Sequence, residues 1–219
     1  VEAVREQVRR TGKIKVAFLN LFNGVFPFQA VFEKMLTDEA FDPWIIVIPN
    51  ISRTQEYQRE KYFEAYSGLS AAYGNRVLHG FDWSKGSMLE LGDSYQIVCF
   101  SNPYDSLVHA FHRSTYFLNQ NVLTVYANYG FPALRFWTEV IHSDFYNHMW
   151  KVCIETESNL QYLKEQEAIK GKNGYVTGYM KMDSLANHVP AVKERKKILI
   201  CPHHTVWGWE TLNISNFLQ

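Results

Sequence analysis

The chain has 219 residues, 47% hydrophobic and 20% charged, enough for one domain core and part of a second. Lysine plus arginine equals aspartate plus glutamate at 22 each, so no net positive field draws nucleic acid to the surface, and a duplex DNA binder is not expected. Cys99, Cys153 and Cys201 each sit in a β-branched apolar run, which reads as small buried hydrophobes in a reducing compartment and not as a disulfide framework.

Residues 1–15 predict a helix with Ala3, Val4 and Val8 on one side and Arg5, Arg9 and Arg10 around it. It is either a solvated helix packed on the domain or a basic amphipathic segment touching the inner membrane surface. No apolar run approaches the roughly 20 residues of a membrane span, so a cytoplasmic protein, with peripheral contact at most, is expected. Apolar β-rich runs then recur at 15–20, 44–50, 95–102, 122–128, 151–156, 174–178 and 197–202, with helical segments at 26–39, 54–73, 105–119, 132–148 and 157–170. The runs are near-continuous instead of alternating, as in strands buried on both faces, and the alternation of strand and helix predicts an α/β fold, a Rossmann-like parallel sheet layered with helices. Four strands end in Asn20, Asn50, Asn102 and Asn128, beyond the carboxyl ends where parallel sheets gather ligands. Asparagine also suits turns and caps there. The polar stretch 189–196 reads as a linker between a domain at 1–188 and the first strand, loop and helix start of a second, truncated domain at 197–219.

The loop after the first strand lacks the glycine spacing of a dinucleotide fingerprint or a P-loop, and no Gly-x-Ser-x-Gly elbow occurs. Asn23-Gly24 predicts a tight turn, and Pro27 suits the start of the next helix, whose amino terminus is either a site for a phosphate or hydroxyl-rich group or a plain strand-to-helix turn. His203 and His204 are adjacent on an extended segment and point to opposite sides, while His109 and His112 are three apart on a predicted helix with no cysteine or carboxylate at matching spacing. Neither a metal nor a cofactor is expected.

Three segments stand out together: Ser101-Asn102-Pro103-Tyr104-Asp105-Ser106, Val125 to Pro132 with its Tyr129-Gly130-Phe131-Pro132 turn, and Val176 to Leu185 with Gly178, Lys181 and Asp183. With Ile198 to His203 after them, residues 95–206 resemble the CDP-glycerol glycerophosphotransferase family, which builds teichoic-acid and related capsule polymers on a glycosyltransferase B fold. That family carries Asn-x-x-His-Gly-Thr-Pro, then Gly-x-Pro-Arg-x-Asp, then Ile-Leu-x-Ala-Pro-Thr. Tyr129, Gly130 and Pro132 fall on the His, Gly and Pro of the first motif, and Gly178, Lys181 and Asp183 on the Gly, Arg and Asp of the second. Ile198-Leu199-Ile200-Cys201-Pro202-His203 falls on the third.

The resemblance implies the amino-terminal, acceptor-side half of a glycosyltransferase B enzyme. Such an enzyme moves a glycerophosphate or glycosyl unit from a CDP-linked or other nucleotide-activated donor to a cell-surface polymer or glycan acceptor. Tyr129 stands where the family has its base; because an ordinary tyrosine is protonated at neutral pH, His203 or His204 becomes the substitute. Asn23, Gly24, Asn102, Tyr104, Asp105, Asn128, Gly130, Lys181 and Asp183 are the expected substrate-binding set, Lys181 as a point charge for phosphate. Structural uses for the same residues are a Tyr129 ring capping the sheet, a solvated Lys181 and a helix-capping Asp183. The competing readings are a nucleotide-sugar glycosyltransferase for capsule or O-antigen and an α/β binding module without catalysis. On the transferase reading, residues 1–219 alone are expected to be inactive.

Overall fold

The computed structural model describes residues 1–132, 141–185 and 195. The chain divides into two compact units, Val1–Asn187 and His188–Gln219. The expected strand at 197–202, together with His203 and His204, lies outside the described residues.

Helix α1, Glu2–Thr11, stops at Gly12, whose φ of 74° suits glycine and whose N–H closes on Val8 O at 2.8 Å. Val4 is its buried residue. Arg5 and Arg10 pair with Glu2 and Glu6 one turn earlier, in exposed pairs that contribute little. Strand β1, Ile14–Asn20, follows and is almost wholly buried from Val16 onward. Next come α2 (Gln29–Leu36), β2 (Phe41–Val47) and α3 (Gln55–Tyr73). Thr54 caps α3 by accepting from Tyr57 N. Strands β3 (Val77–His79), β6 (Ile97–Phe100), β7 (Leu123–Ala127), β8 (Lys151–Ile154) and β9 (Gly174–Val176) complete a seven-stranded sheet in the order β3-β2-β1-β6-β7-β8-β9. All its pairings are parallel. This is the expected Rossmann-like α/β fold.

The two cores explain the layering. Val16, Phe18, Ile45, Val47 and Val77 face Phe28 just before α2, Phe32 of α2, and Tyr62, Ala65 and Leu69 of α3. The ring of Phe18 packs against Phe26, Phe28 and Phe32 at 5.5–5.8 Å. On the other face, Ala17, Leu19, Ile46, Val98, Phe100, Tyr126 and Val152 meet Phe117, Phe145, Tyr146 and Leu163. These come from the later helices Ser114–Phe117, Asp144–His148 and Glu157–Gln166. Helices α2 and α3 thus cover one face and helices after β6 the other, so both faces of each central strand are apolar.

Pro43 sits inside β2, where a missing N–H would normally break a ladder. Val47 O bonds toward β3 and Ile48 N toward β1, so by alternation Pro43 N points to the β3 side. There β3 has not yet begun, because its pairing starts at Ile45 with Val77. At the other end of the sheet's centre, buried Gln96 clips three strands together: its Oε1 accepts Lys15 N at 2.8 Å, its N–H donates to Lys15 O, and its carbonyl accepts Leu123 N.

Three expectations need correction. The helix expected at 105–119 is a pair of 3-10 turns, Asp105–Leu107 and Ala110–His112, followed by a single helical turn, Ser114–Phe117. The reason is local: the Asp105 carboxylate accepts from Ser114 N and Oγ at 2.7 and 2.5 Å, holding the chain in a loop with Arg113 extended. The helix at 26–39 starts only at Gln29, after a turn that contains Pro27. Strand β3 and the hairpin of β4 (Phe81–Asp82) and β5 (Ser87–Met88) are additions, too short for a periodic signal.

Gly80 links β3 to this hairpin with its N–H on Val47 O at 2.8 Å. A Cβ there would stand 2.7 Å from the same carbonyl oxygen and 2.6 Å from Ile48 Cγ2. Gly80→Ala is therefore expected to cost about 1–3 kcal/mol in denaturant unfolding. Glu167 is 5% exposed; one carboxylate oxygen accepts Gly171 N at 3.2 Å and the other is buried without a partner. Burial pushes its pKa up to about 7 from 4.5, against the opposing bond from Gly171. A raised folded-state value means that the stability is whole below pH 4.5 and is lost as pH rises through 7. Glu167→Gln should exceed the parent by about 1–3 kcal/mol at alkaline pH, with the difference vanishing in acid; unfolding curves at the two extremes check it.

Candidate functional site

The strand order places a topological switch between β1 and β6. From β1 the chain moves to β2 and β3 on one side; from β6 it moves to β7, β8 and β9 on the other. Loops therefore diverge at the carboxyl ends of these two strands and leave a crevice. A cleft of about 160 Å³ lies there, with Leu21 and Val25 from the loop after β1, Ser101, Asn102 and Tyr104 after β6, and Tyr129 after β7.

Its polar groups are few. Ser101 Oγ is committed to Leu19 O at 2.8 Å, and Asn102 Nδ2 donates to Tyr104 O at 3.3 Å. Tyr104 and Tyr129, 36% and 40% exposed, both line the cleft. Burial first, and the neighbouring Tyr129 hydroxyl second, push the Tyr104 pKa up to about 12. At neutral pH Tyr104 is a hydroxyl donor and acceptor, not a base.

The three sequence segments and the loop after β1 meet at this edge. Tyr179 OH donates to Tyr129 O at 3.1 Å, and the Tyr179 ring stands edge-on to Phe131 at 5.7 Å. Gly178, with φ of 81°, turns the chain from β9 toward Tyr179. Lys181 Nζ lies 3.5 Å from Gly24 O. It lines a shallow cleft of about 130 Å³ with Pro27, Glu33 and Asp183. Two carboxylates against one ammonium make this a mixed-charge surface beside the start of α2.

Several expected ligand groups are occupied by structure. Asn128 is 8% exposed: its Oδ1 accepts from Tyr126 OH at 2.5 Å and Tyr146 OH at 3.3 Å, and its Nδ2 donates to Glu155 Oε1 at 2.7 Å. Both Asp105 oxygens are held by Ser114, whose Oγ also meets His148 Nδ1 at 2.8 Å. Asn23 and Gly24 form the centre of the turn closed by Val25 N on Phe22 O at 3.1 Å. The Asn23 amide packs where α3 has Gly68 and hence no Cβ. Gly130 is half-buried, and a Cβ there would touch nothing within 4 Å, so neither space nor a left-handed backbone demands glycine. His109 and His112 separate: His109 stacks on Phe81 at 5.1 Å, whereas buried His112 donates from Nε2 to Leu89 O at 2.9 Å. Burial holds the His112 pKa down to about 4, which keeps it neutral. Among the described residues, no group of three His, Cys, Asp or Glu is arranged to hold a metal ion, and no helix is long and apolar enough to cross a membrane.

Glu155 and Tyr179 were missed. Glu155, 7% exposed, follows β8 as Asn128 follows β7; Asn128 and Asn159 donate to its two oxygens. Burial raises its pKa and these bonds oppose the rise. The signal was present in Lys151-Val152-Cys153-Ile154-Glu155, an apolar run ending in a carboxylate at the ligand edge of the sheet. Tyr179 carried no periodic or motif signal of its own.

The buried amide between Glu155 and two tyrosines gives a sharp test. Asn128→Asp would set two carboxylates in contact, and one must then be protonated. The variant should lose about 2–4 kcal/mol at pH 8 and recover much of it near pH 5. Thermal melts at both pH values check this; a loss independent of pH would break the account of the network.

Compared with known protein families, curated proteins and solved structures, the chain gives no match in any of the three.

Proposed function

We propose that this protein is a transferase of the glycosyltransferase B type, acting with a nucleotide-activated donor and a hydroxyl-bearing polymer or glycan acceptor, and that CDP-glycerol is its donor. The observation that carries the reading is convergence. Tyr104 and Tyr129 share the switch-point cleft, Tyr179 is bonded to Tyr129, and Lys181 reaches Gly24, although these residues span the chain from 24 to 181.

In this reading, the acceptor oxygen attacks the donor's glycerol-bearing phosphorus, the bond to the CMP oxygen breaks, and CMP leaves with its charge. The acceptor's proton passes to a base, for which His203 and His204 are the sequence candidates. Tyr104 and Tyr129 hydroxyls and the Asn102 amide hold acceptor hydroxyls in the cleft. Lys181 supplies positive charge toward phosphate. The apolar walls from Leu21 and Val25 keep water from competing as nucleophile.

CMP release from CDP-glycerol by the complete gene product, with a glycerol-phosphate oligomer as acceptor, tests it. Release should depend on acceptor and fall at least tenfold in Tyr129→Phe and in Lys181→Ala, with unchanged circular dichroism. Release of UDP or GDP from a nucleotide sugar instead would make the donor a sugar. Saturable acceptor binding without turnover of any donor would make the protein a binding module.

A further inference from the structure

A second cleft, of about 750 Å³, opens at the carboxyl end of β3, between α3 and the β4–β5 hairpin. Two strands separate β3 from β6 on one side of the switch point, namely β2 and β1, so this cleft belongs to the opposite end of the sheet from Tyr179 and β9. None of the residues discussed as transferase groups lines it. Its volume lies in the range that holds small ligands, roughly 300–1,000 Å³.

The walls are aromatic and tightly braced. Tyr62 stands edge-on to Phe63 and Trp83 at 5.3 and 5.4 Å, and Phe81 edge-on to Trp83 at 4.9 Å. Tyr66 stacks on His79 at 3.6 Å. The hydrogen bonds orient His79. Tyr62 OH lies 3.0 Å from Phe81 O, which can only accept, so the hydroxyl proton goes there. His79 Nδ1, 2.8 Å from the same hydroxyl, must then be the N–H that donates to it. Burial lowers the His79 pKa and keeps the ring neutral. Its Nε2 is left as an acceptor on a ring that lines the cleft.

Charge identifies the ligand. Arg59 lies over the rings of Phe63 and Trp83, with Cζ 5.6 and 5.8 Å from their centroids, and it enters none of the ion pairs among the described residues. The nearby α3 carboxylates Glu60 and Glu64 are both taken by Lys61. Asp82, also on the wall, is neutralised by its own loop: Oδ1 accepts from Ser84 N, Ser84 Oγ and Lys85 N, and Oδ2 faces Lys85 Nζ at 3.5 Å. The cleft therefore carries one uncompensated guanidinium beside aromatic faces, the Ser84 and Ser87 hydroxyls and an imidazole acceptor. Aromatic faces suit the C–H face of a sugar ring, the hydroxyls and imidazole suit its hydroxyl groups, and a guanidinium suits a phosphate monoester.

We infer that this cleft is a binding site for a phosphorylated saccharide, with Arg59 on the phosphate and the Phe63 and Trp83 rings against the sugar. The inference does not rest on the transferase reading, and the site is separate from the switch-point cleft.

Calorimetry with glucose 1-phosphate, glucose and inorganic phosphate tests it. Glucose 1-phosphate should bind saturably and at least tenfold more tightly than either part alone. Arg59→Gln, an exposed helix substitution, should abolish that preference, while Phe63→Ala should weaken glucose 1-phosphate and leave inorganic phosphate unchanged. Tyr129→Phe, in the other cleft, should bind as the parent does, which separates failure here from failure of the transferase proposal. Absence of saturable binding, equal affinity for glucose and glucose 1-phosphate, or undiminished binding by Arg59→Gln in a protein with the parent's melting temperature would each overturn it. Equally tight inorganic phosphate would reduce the site to an adventitious anion contact and overturn it as well.

Discussion

Everything at the ligand edge depends on β1 being held on both sides and both faces. Its two neighbours, β2 and β6, pair with it in parallel over Ile14–Asn20 and Val16–Leu19, and its side chains from Val16 to Asn20 are at most 3% exposed. A strand so enclosed cannot slip: a shift of one residue would turn Phe18 away from the phenylalanine cluster and push Leu19 into it. The position where β1 ends is thereby determined, and with it the crevice.

Polar groups at this edge do two kinds of work. One group is structural and buried or partly buried: the Tyr126, Asn128, Glu155, Asn159 and Tyr146 network, and the Asp105, Ser114 and His148 chain. The other is half exposed: Tyr104, Tyr129, Tyr179 and Lys181. The first anchors the second, since Asn128 immediately precedes Tyr129 and Asp105 immediately follows Tyr104. A loop that must present a hydroxyl at a defined point needs such an anchor within a residue or two.

Legibility in the sequence followed the strength of the repeating signal. Strands of four to seven residues with near-continuous apolar side chains were readable, as were α3 and the helix Glu157–Gln166, each with a threonine cap. Segments shaped by one side chain's bond to a distant backbone were not. Asp105 diverting 105–119 from helix is the clear case, because aspartate is compatible with either outcome until its partner is known. The candidate residues divide the same way: Tyr104, Asn102 and Tyr129 line a cleft because they follow strand ends, whereas the structural roles of Asn128 and Asp105 depend on Glu155 and Ser114, which periodicity does not single out. The β3 cleft was invisible because its residues come from α3, a three-residue strand and a hairpin with two-residue strands.

The Gln96 clip has a consequence for how the chain reaches this state. β1 and β2 are near neighbours in sequence and can pair early, but Lys15 and Gln96 are 81 residues apart. Closing so long a loop is entropically costly and comes before any reward from β6. The first half, β1 to β3 with α2 and α3, has a phenylalanine-rich core of its own on one face, while the opposite face of the same strands stays uncovered until the later helices arrive. Ala17, Leu19 and Ile46 are therefore covered on that face by residues from far along the chain, and the crevice exists only where β6 has paired with β1.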